Sequence, residues 1–170
     1  MALPTKEELG FDPAALRDKY RAERDKRLRD DANEQYREIK DEYVDFLADP
    51  YTAHPTPGGP LSDEVESAII GGGFGGLIAA ARLKELGFED IRLVENGGDF
   101  GGTWYWNRYP GAACDTESYI YLPLCEELNF VPKEKYTHAP EILQHCHNIA
   151  QHYDLYNRAC LQTQVTGMSW

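Results

Sequence analysis

The sequence predicts an α/β fold built on a β-α-β unit with a parallel sheet, preceded by a helical N-terminal arm. Two observations carry this prediction. An apolar run at 65–70 is followed by a glycine turn at 71–76 and an alanine-rich stretch at 77–86, and a second apolar run follows at 91–94. Strand, turn, helix and strand in this order are typical of a β-α-β unit, whose strands pair in parallel.

The helical arm is predicted from residues 1–48. Asp12 followed by Pro13 indicates a helix start, since Asp caps free N–H groups and Pro fits the first helical turn. The stretch that follows is rich in both charge signs, so we interpret it as a solvated helical arm laid over the main domain. A basic helix that seeks an acidic partner is the alternative. Residues 49–63 are rich in Pro and Gly and are predicted to form a linker to a domain at 64–170.

Within that domain, each apolar run has its own boundary signals. Val65–Ile70 and Ile91–Val94 are predicted strands, and the helix at Leu77–Leu86 is expected to stop at Gly87. Farther on, Pro140 opens a predicted helix whose apolar residues share one face. A further strand is predicted at Leu161–Val165.

Composition excludes several function classes. The chain has 170 residues and a formal net charge of −12, which disfavours binding to the phosphate backbone of nucleic acids. No apolar run approaches the ~20 residues of a membrane span, and the N-terminus lacks the layout of a secretion signal. Four dispersed cysteines without a CxxC pair favour reduced thiols. These features predict a cytoplasmic protein with neither nucleic-acid nor membrane partners.

The glycine turn carries the first strong motif, a G-x-G-x-x-G at Gly71, Gly73 and Gly76. Gly71 permits a tight turn, Gly73 lets the backbone approach a pyrophosphate, and Gly76 lets helix and strand pack closely. The helix N-terminus offers free N–H groups to phosphates. Glu95 ends the next strand and is placed to accept hydrogen bonds from ribose hydroxyls, so FAD or NAD is expected here rather than NADP. The alternative is a glycine turn that binds nothing.

The stretch GGDFGGTWYWNRYPGAACDTES, residues 97–118, sets glycines beside aromatic residues. Its glycines suggest a second approach of backbone to the same ligand. Trp104, Tyr105 and Trp106 supply flat surface that can line a flavin ring, or they are core aromatics. On its own, Asp115, the first residue of Asp-Thr-Glu-Ser, is expected to cap a turn or a helix.

The segment GGTWYWNRYPGAACDTES closely resembles the type I Baeyer–Villiger monooxygenases, as do IIGGGFGGL, LVENGGDFGGTW and KYTHAPEILQHCHNIAQHYDLY. The resemblance runs from about Glu64 to Trp170. It implies an incomplete Rossmann-like FAD-binding domain, the N-terminal portion of a flavin enzyme that uses NADPH and O2. Such an enzyme oxidises ketones to esters or lactones through a C4a-peroxyflavin. The NADPH site and an active-site arginine are expected outside this sequence, so the chain alone should be inactive and should expose apolar surface.

The resemblance also implies roles for individual residues. The aspartate that matches Asp115 lies beside the isoalloxazine and orients the arginine that stabilises the reacting peroxide, so it is the implied catalytic residue. The remaining implied positions contact FAD: Gly71, Gly73, Gly75 and Gly76 at the pyrophosphate, Glu95 at the adenosine ribose, Thr103, Trp104, Tyr105 and Trp106 along the flavin half, Tyr121 at the flavin, and Val165 at the adenine through its backbone.

Two other functions stay open at this point. An N- or S-oxygenating flavin monooxygenase shares the first fingerprint but generally lacks WNRYPGAxCD, and a truncated fragment would bind FAD without activity. No metal site is predicted, because His145, Cys146 and His147 are adjacent on a helix and point in different directions. We expect surface histidines beside one buried cysteine.

Overall fold

The computed structural model describes residues 5–36, 40, 43, 45, 48–52 and 61–169. The chain divides into two compact units, Met1–Ala48 and Asp49–Trp170. The second unit begins at the start of the predicted linker, of which residues 53–60 lie outside the described residues.

The first unit is helical in pieces. Helix α1 spans Lys6–Leu9 and helix α2 spans Pro13–Asp25, and a 3-10 turn follows at Ala32–Gln35. Asp12 caps α2 as predicted, because its Oδ1 accepts the Ala14 N–H at 2.9 Å. Neither helix has a buried residue, which agrees with the predicted solvated surface. Most of the arm between 37 and 47 lies outside the described residues.

The second unit contains a parallel sheet of three strands in the order β1-β2-β3. The strands are β1 at Ser67–Ile70, β2 at Ile91–Val94 and β3 at Ala159–Cys160. Ser67 pairs with Ile91, and Leu93 pairs with Ala159. The predicted β-α-β unit and parallel sheet are therefore confirmed.

Two long helices pack against each other and share a buried core with one face of this sheet. Helix α3 spans Phe74–Glu85 and helix α6 spans Ala139–His152. Their apolar residues form one buried core with alternate residues of the strands. The members of this core are Leu77, Ala80, Ala81, Ile91, Leu93, Phe100, Leu124, Cys146, Ile149, Ala150 and Leu155, with Ile69 packed against them.

The remaining elements are short. Helices α4 at Thr103–Trp106 and α5 at Ser118–Tyr121 are single turns, and a 3-10 turn at Tyr156–Arg158 leads into β3. The sequence did not predict α4, since one turn of helix is too short to show a 3.6-residue period. A helix start near Asp115 was considered, and α5 begins three residues later, at Ser118.

Three predicted boundaries differ from the structure by two residues or more. Strand β1 begins at Ser67, not at Val65. Helix α3 begins at Phe74, three residues before the expected Leu77, so its first turn is the glycine-rich FGG. The last strand lies at Ala159–Cys160, not at Leu161–Val165. Beyond Cys160 the chain still hydrogen-bonds to the end of β2, since the Thr163 N–H donates to the Glu95 carbonyl at 2.9 Å.

The other face of β1 is exposed. Ala68 and Ile70 alternate with the core-facing residues, and Ile70 is 54% exposed. Among the described residues, no helix is long and apolar enough to cross a membrane.

Candidate nucleotide-binding site

The glycine turn lies at the carboxyl end of β1 and opens α3. Gly71 has a φ of +100°, which an L side chain rarely adopts. A Cβ at Gly76 would lie 1.9 Å from the Gly71 carbonyl oxygen. Both glycines are therefore required by the chain itself, and Gly76 allows the first turn of the helix to pack on the turn before it.

The N-terminus of α3 presents backbone donors without a competing side chain. Gly73 is its N-cap, and no described side chain caps the helix. A Cβ at Gly75 would meet nothing within 4 Å. The first N–H groups of a helix have no intrahelical acceptor and carry partial positive charge. This end of α3 thus has the donors and the open space that a phosphate needs.

Glu95 lies directly after β2 and is buried, with 7% exposure. Its Oε2 accepts the Gly72 N–H at 2.5 Å, and its Oε1 accepts the Gly97 N–H at 2.6 Å. A carboxylate has about four acceptor sites, so both oxygens retain capacity for a hydroxyl donor. One side chain therefore joins the glycine turn to the loop that follows β2.

That loop, residues 97–102, packs on the glycine turn backbone to backbone. The Gly101 N–H donates to the Gly72 carbonyl at 2.9 Å. A Cβ at Gly102 would lie 2.7 Å from the Gly73 Cα. Two glycine segments that are distant in sequence therefore meet, and the approach of this loop to a ligand stays a prediction.

The sequence analysis did not single out Gly72, and it gave Gly97 only a general role in the second glycine segment. A Cβ at Gly72 would lie 2.9 Å from Phe100 and 3.0 Å from Glu95 Oε2, and one at Gly97 would lie 2.9 Å from the Tyr105 ring. The requirement comes from the position of side chains that are distant in sequence. The only local signal was the unusual number of consecutive glycines.

The loop is also anchored through Asp99. Its Oδ1 accepts the Tyr156 hydroxyl at 2.8 Å and the Phe100 N–H at 2.7 Å. Burial raises the pKa of Tyr156, and the hydrogen bond to Asp99 raises it further. The hydroxyl therefore stays protonated and keeps donating to the loop.

The predicted aromatic residues separate into buried and exposed members. Trp104 and Tyr105 are 7% and 2% exposed, whereas Trp106 is half-buried and Thr103 is exposed. The Trp104 Nε1–H donates to the Tyr121 hydroxyl at 2.9 Å, and the two rings meet edge to face at 5.8 Å. Trp104 and Tyr121, two of the residues singled out, are therefore brought together.

Asp115 is exposed and follows the aromatic motif. It does not cap α5, because that helix begins at Ser118 with Glu117 at the cap position and no capping side chain in the described part of the chain. The helix-capping interpretation was therefore wrong. Burial raises the pKa of the nearby Tyr121 hydroxyl, which remains a neutral partner of the Trp104 N–H.

Two residues differ from their sequence-based descriptions. Val165 is exposed and lies outside any strand. His145 is fully buried, not at the surface. Its ring stacks on Phe130 at 4.3 Å, and its Nε2 lies 2.7 Å from the Pro123 carbonyl. The signal was present, since His145 lies three residues after Ile142 and four before Ile149 on the buried face of α6. The neighbouring Cys146 is buried as expected.

This chain is similar in sequence to several known proteins. Residues 69–146 match the family model described as an NAD(P)-binding Rossmann-like domain. Neopentalenolactone D synthase of Streptomyces avermitilis is 53% identical over 160 residues, which cover 94% of this chain and 27% of that protein. A Baeyer–Villiger monooxygenase of Streptomyces coelicolor is 46% identical over 157 residues, 92% of this chain and 26% of that protein. The chain spans about a quarter of the length of these relatives.

Solved structures agree with the sequence comparison. A polycyclic ketone monooxygenase from the fungus Thermothelomyces thermophila matches with a TM-score of 0.72 and 40% identity over 88% of this chain and 25% of that one. A structure titled OTEMO complex with FAD and NADP matches with a TM-score of 0.56 and 33% identity over 62% of this chain and 20% of that one. In sequence and in fold, this chain therefore corresponds to the N-terminal portion of the Baeyer–Villiger monooxygenases.

Proposed function

We propose that residues 64–170 form the FAD-binding part of an NADPH- and O2-dependent flavin monooxygenase that oxidises ketones to esters or lactones. One observation carries this proposal. The glycine turn 71–76 lies at the carboxyl end of a parallel strand, and the buried carboxylate of Glu95 hydrogen-bonds to it from the next strand. Ligands of open α/β sheets bind at this edge. The similar proteins named above include a polycyclic ketone monooxygenase and a complex with FAD and NADP.

The residues of this site fit a dinucleotide. The first turn of α3 would hold the pyrophosphate through the N–H groups around Gly73 and Gly75, where no described side chain intrudes. Glu95 would accept the hydroxyls of the adenosine ribose. The same carboxylate would repel a 2′-phosphate, which favours FAD over NADP at this position. Val165 is proposed to contact the adenine through its backbone.

The flavin half of the cofactor would run along Thr103–Trp106. Thr103 and Trp106 offer exposed surface, while Trp104 and Tyr121 support it from the core. Bound FAD would supply the redox chemistry, in which NADPH, a proton, O2 and the ketone give NADP⁺, water and the ester.

Asp115 is proposed as a positioning residue. Its exposed carboxylate is available to an arginine from another part of the complete polypeptide. A carboxylate can fix a guanidinium in a bidentate geometry. A guanidinium held in this way would stabilise negative charge that develops on the reacting oxygen. The partners of the site would then be the ketone, O2 and the remainder of the enzyme. We propose a cytoplasmic location, which the four free cysteines support.

The test uses the full-length polypeptide purified with excess FAD. We expect a yellow protein that oxidises NADPH faster when a cyclic ketone is added, and a product that has gained one oxygen atom. Parallel assays with a tertiary amine and a thioether distinguish the N- or S-oxygenating alternative. A protein that stays colourless with excess FAD would contradict the proposal. A protein that oxygenates only the amine or thioether would replace the ketone reaction by the alternative.

A further inference from the structure

Asp49 lies at the start of the second unit, and its carboxylate accepts four hydrogen bonds. Its Oδ2 accepts the Tyr105 hydroxyl at 2.5 Å, the Gly98 N–H at 2.8 Å and the Thr52 hydroxyl at 3.1 Å. Its Oδ1 accepts the Tyr51 N–H at 2.9 Å. Burial alone would raise the pKa of Asp49, but these hydrogen bonds outweigh it and lower the pKa. The charged carboxylate therefore ties residues 49–52, here called the clasp, to the loop after β2.

Aromatic contacts also hold the clasp. The Tyr51 ring meets the Tyr105 ring edge to face at 5.6 Å. The Arg108 guanidinium lies 4.0 Å from the Tyr51 ring centre and 4.6 Å from that of Tyr105, and its Nε–H donates to the Tyr105 carbonyl at 2.9 Å. Cation–π contacts of this kind stabilise the arrangement by about 0.5–1 kcal/mol each at exposed sites.

The clasp reaches the nucleotide site through two glycines. A Cβ at Gly98 would lie 1.8 Å from the Thr52 hydroxyl oxygen. A Cβ at Gly97 would lie 2.9 Å from the Tyr105 ring and 3.2 Å from Glu95 Oε1. Gly97 is thus packed between the ring that the clasp orients and the carboxylate expected to bind ribose. Its N–H donates to that carboxylate.

We propose that Asp49 and Tyr105 are positioning residues for the cofactor. The clasp holds the loop 97–98 in the conformation in which Gly97 orients Glu95 for the nucleotide. This inference rests on the proposed function, because it takes Glu95 as a residue that contacts FAD. The Tyr105 hydroxyl is assigned to the clasp. The physical basis is preorganisation, since a site that is in its binding conformation only part of the time binds its ligand correspondingly more weakly.

The test compares Asp49→Asn, Tyr105→Phe and the double variant in the full-length polypeptide. Asparagine keeps the shape of Asp49 but has one acceptor oxygen for the three donors at Oδ2, and phenylalanine keeps the ring against Gly97. The matched control is Asp154→Asn, because Asp154 is an exposed carboxylate that accepts a hydrogen bond from Asn157. Two quantities are measured: the FAD dissociation constant, and amide hydrogen exchange of the FAD-free protein.

We expect each single variant to raise the FAD dissociation constant about tenfold, as when the competent conformation falls to about a tenth of the population. The double variant should resemble either single one, because both remove the same contact. In the variants, amide hydrogen exchange at Gly97 and Gly98 should accelerate, whereas the amides of Ile149 and Ala150 in α6 should stay protected. The control should change neither quantity.

Unchanged FAD affinity and unchanged loop exchange in both single variants would overturn the inference. Equal loss of protection in the loop and in α6 would also overturn it, because that result indicates general destabilisation. If the unaltered protein fails to bind FAD, the proposed function fails. The hydrogen-exchange comparison then decides by itself whether the clasp positions the loop.

Discussion

Glu95 has the most constrained surroundings of any single residue in the site. Its two oxygens accept N–H groups from two different glycine segments, and it is almost fully buried. The ribose-binding role was predicted from its place at the end of a strand. The contacts with Gly72 and Gly97 were not predictable, because they depend on how two loops meet in space.

Replacing Glu95 by glutamine should therefore affect both folding and binding. One oxygen would become an NH2 group facing a backbone N–H, so a buried donor loses its acceptor, which costs about 1–3 kcal/mol. We expect urea unfolding at lower concentration and weaker FAD binding in the full-length polypeptide. Glu126→Gln is the control, because Glu126 is exposed. If Glu95→Gln kept the stability and the FAD affinity of the unaltered protein, the hydrogen bonds of Glu95 to Gly72 and Gly97 would contribute no measurable free energy.

We expect alanine substitutions at the adjacent residues Gly75 and Gly76 to have opposite effects on stability. At Gly76 the new Cβ would lie 1.9 Å from a carbonyl oxygen, so Gly76→Ala should strongly destabilise the fold. At Gly75 the Cβ meets nothing within 4 Å, and alanine in a helix is better than glycine by up to about 1 kcal/mol. Gly75→Ala should keep or raise the melting temperature yet weaken FAD binding, because the methyl group occupies the space proposed for phosphate. Unimpaired FAD binding by Gly75→Ala would place the pyrophosphate elsewhere.

Among whole elements, those with a clear period or a motif were predictable and the short ones were not. Strand β2 was predicted at its observed bounds, and α3 and α6 were found from composition and periodicity. Strand β3 was placed too late because a two-residue strand has no alternation of its own. Its position is set by pairing with β2, where Leu93 meets Ala159. The anchoring of residues 49–52 was not predictable either, because the linker 49–63 that they open is marked mainly by Pro and Gly.

The burial of Cys146 in helix α6 predicts that its thiol reacts slowly. The helix turns this residue into the core, and burial raises the pKa of its thiol to about 12. At pH 8 only about one molecule in ten thousand would carry the reactive thiolate. We expect Cys146 to resist iodoacetamide in the folded protein and to react in denaturant, whereas the half-buried Cys160 reacts sooner. Site-resolved mass spectrometry measures both rates. Fast modification of Cys146 in the native protein would contradict its assigned burial.

In the second unit as a whole, the sheet has one covered and one exposed face. Right-handed crossovers that step in one direction along a parallel sheet place their helices on the same side, and α3 and α6 share a core with Ile69, Ile91 and Leu93. Ala68 and Ile70 lie on the other face and are exposed. Parallel sheets in proteins are normally covered on both faces. Because the chain spans about a quarter of its relatives, we expect another part of the full-length polypeptide to cover this face.

Substituting Ile70 by threonine tests that expectation, because the change in stability should differ between the isolated chain and the full-length polypeptide. In the isolated chain the side chain is 54% exposed, so Ile70→Thr should leave stability nearly unchanged and reduce binding of the dye ANS. In the full-length polypeptide the same change would bury a hydroxyl in an apolar contact and should destabilise by about 1–3 kcal/mol. Denaturant unfolding of both forms measures the difference, with Val131→Thr as an exposed control on another surface. Equal, small effects of Ile70→Thr in both forms would mean that the face stays open to solvent in the complete protein.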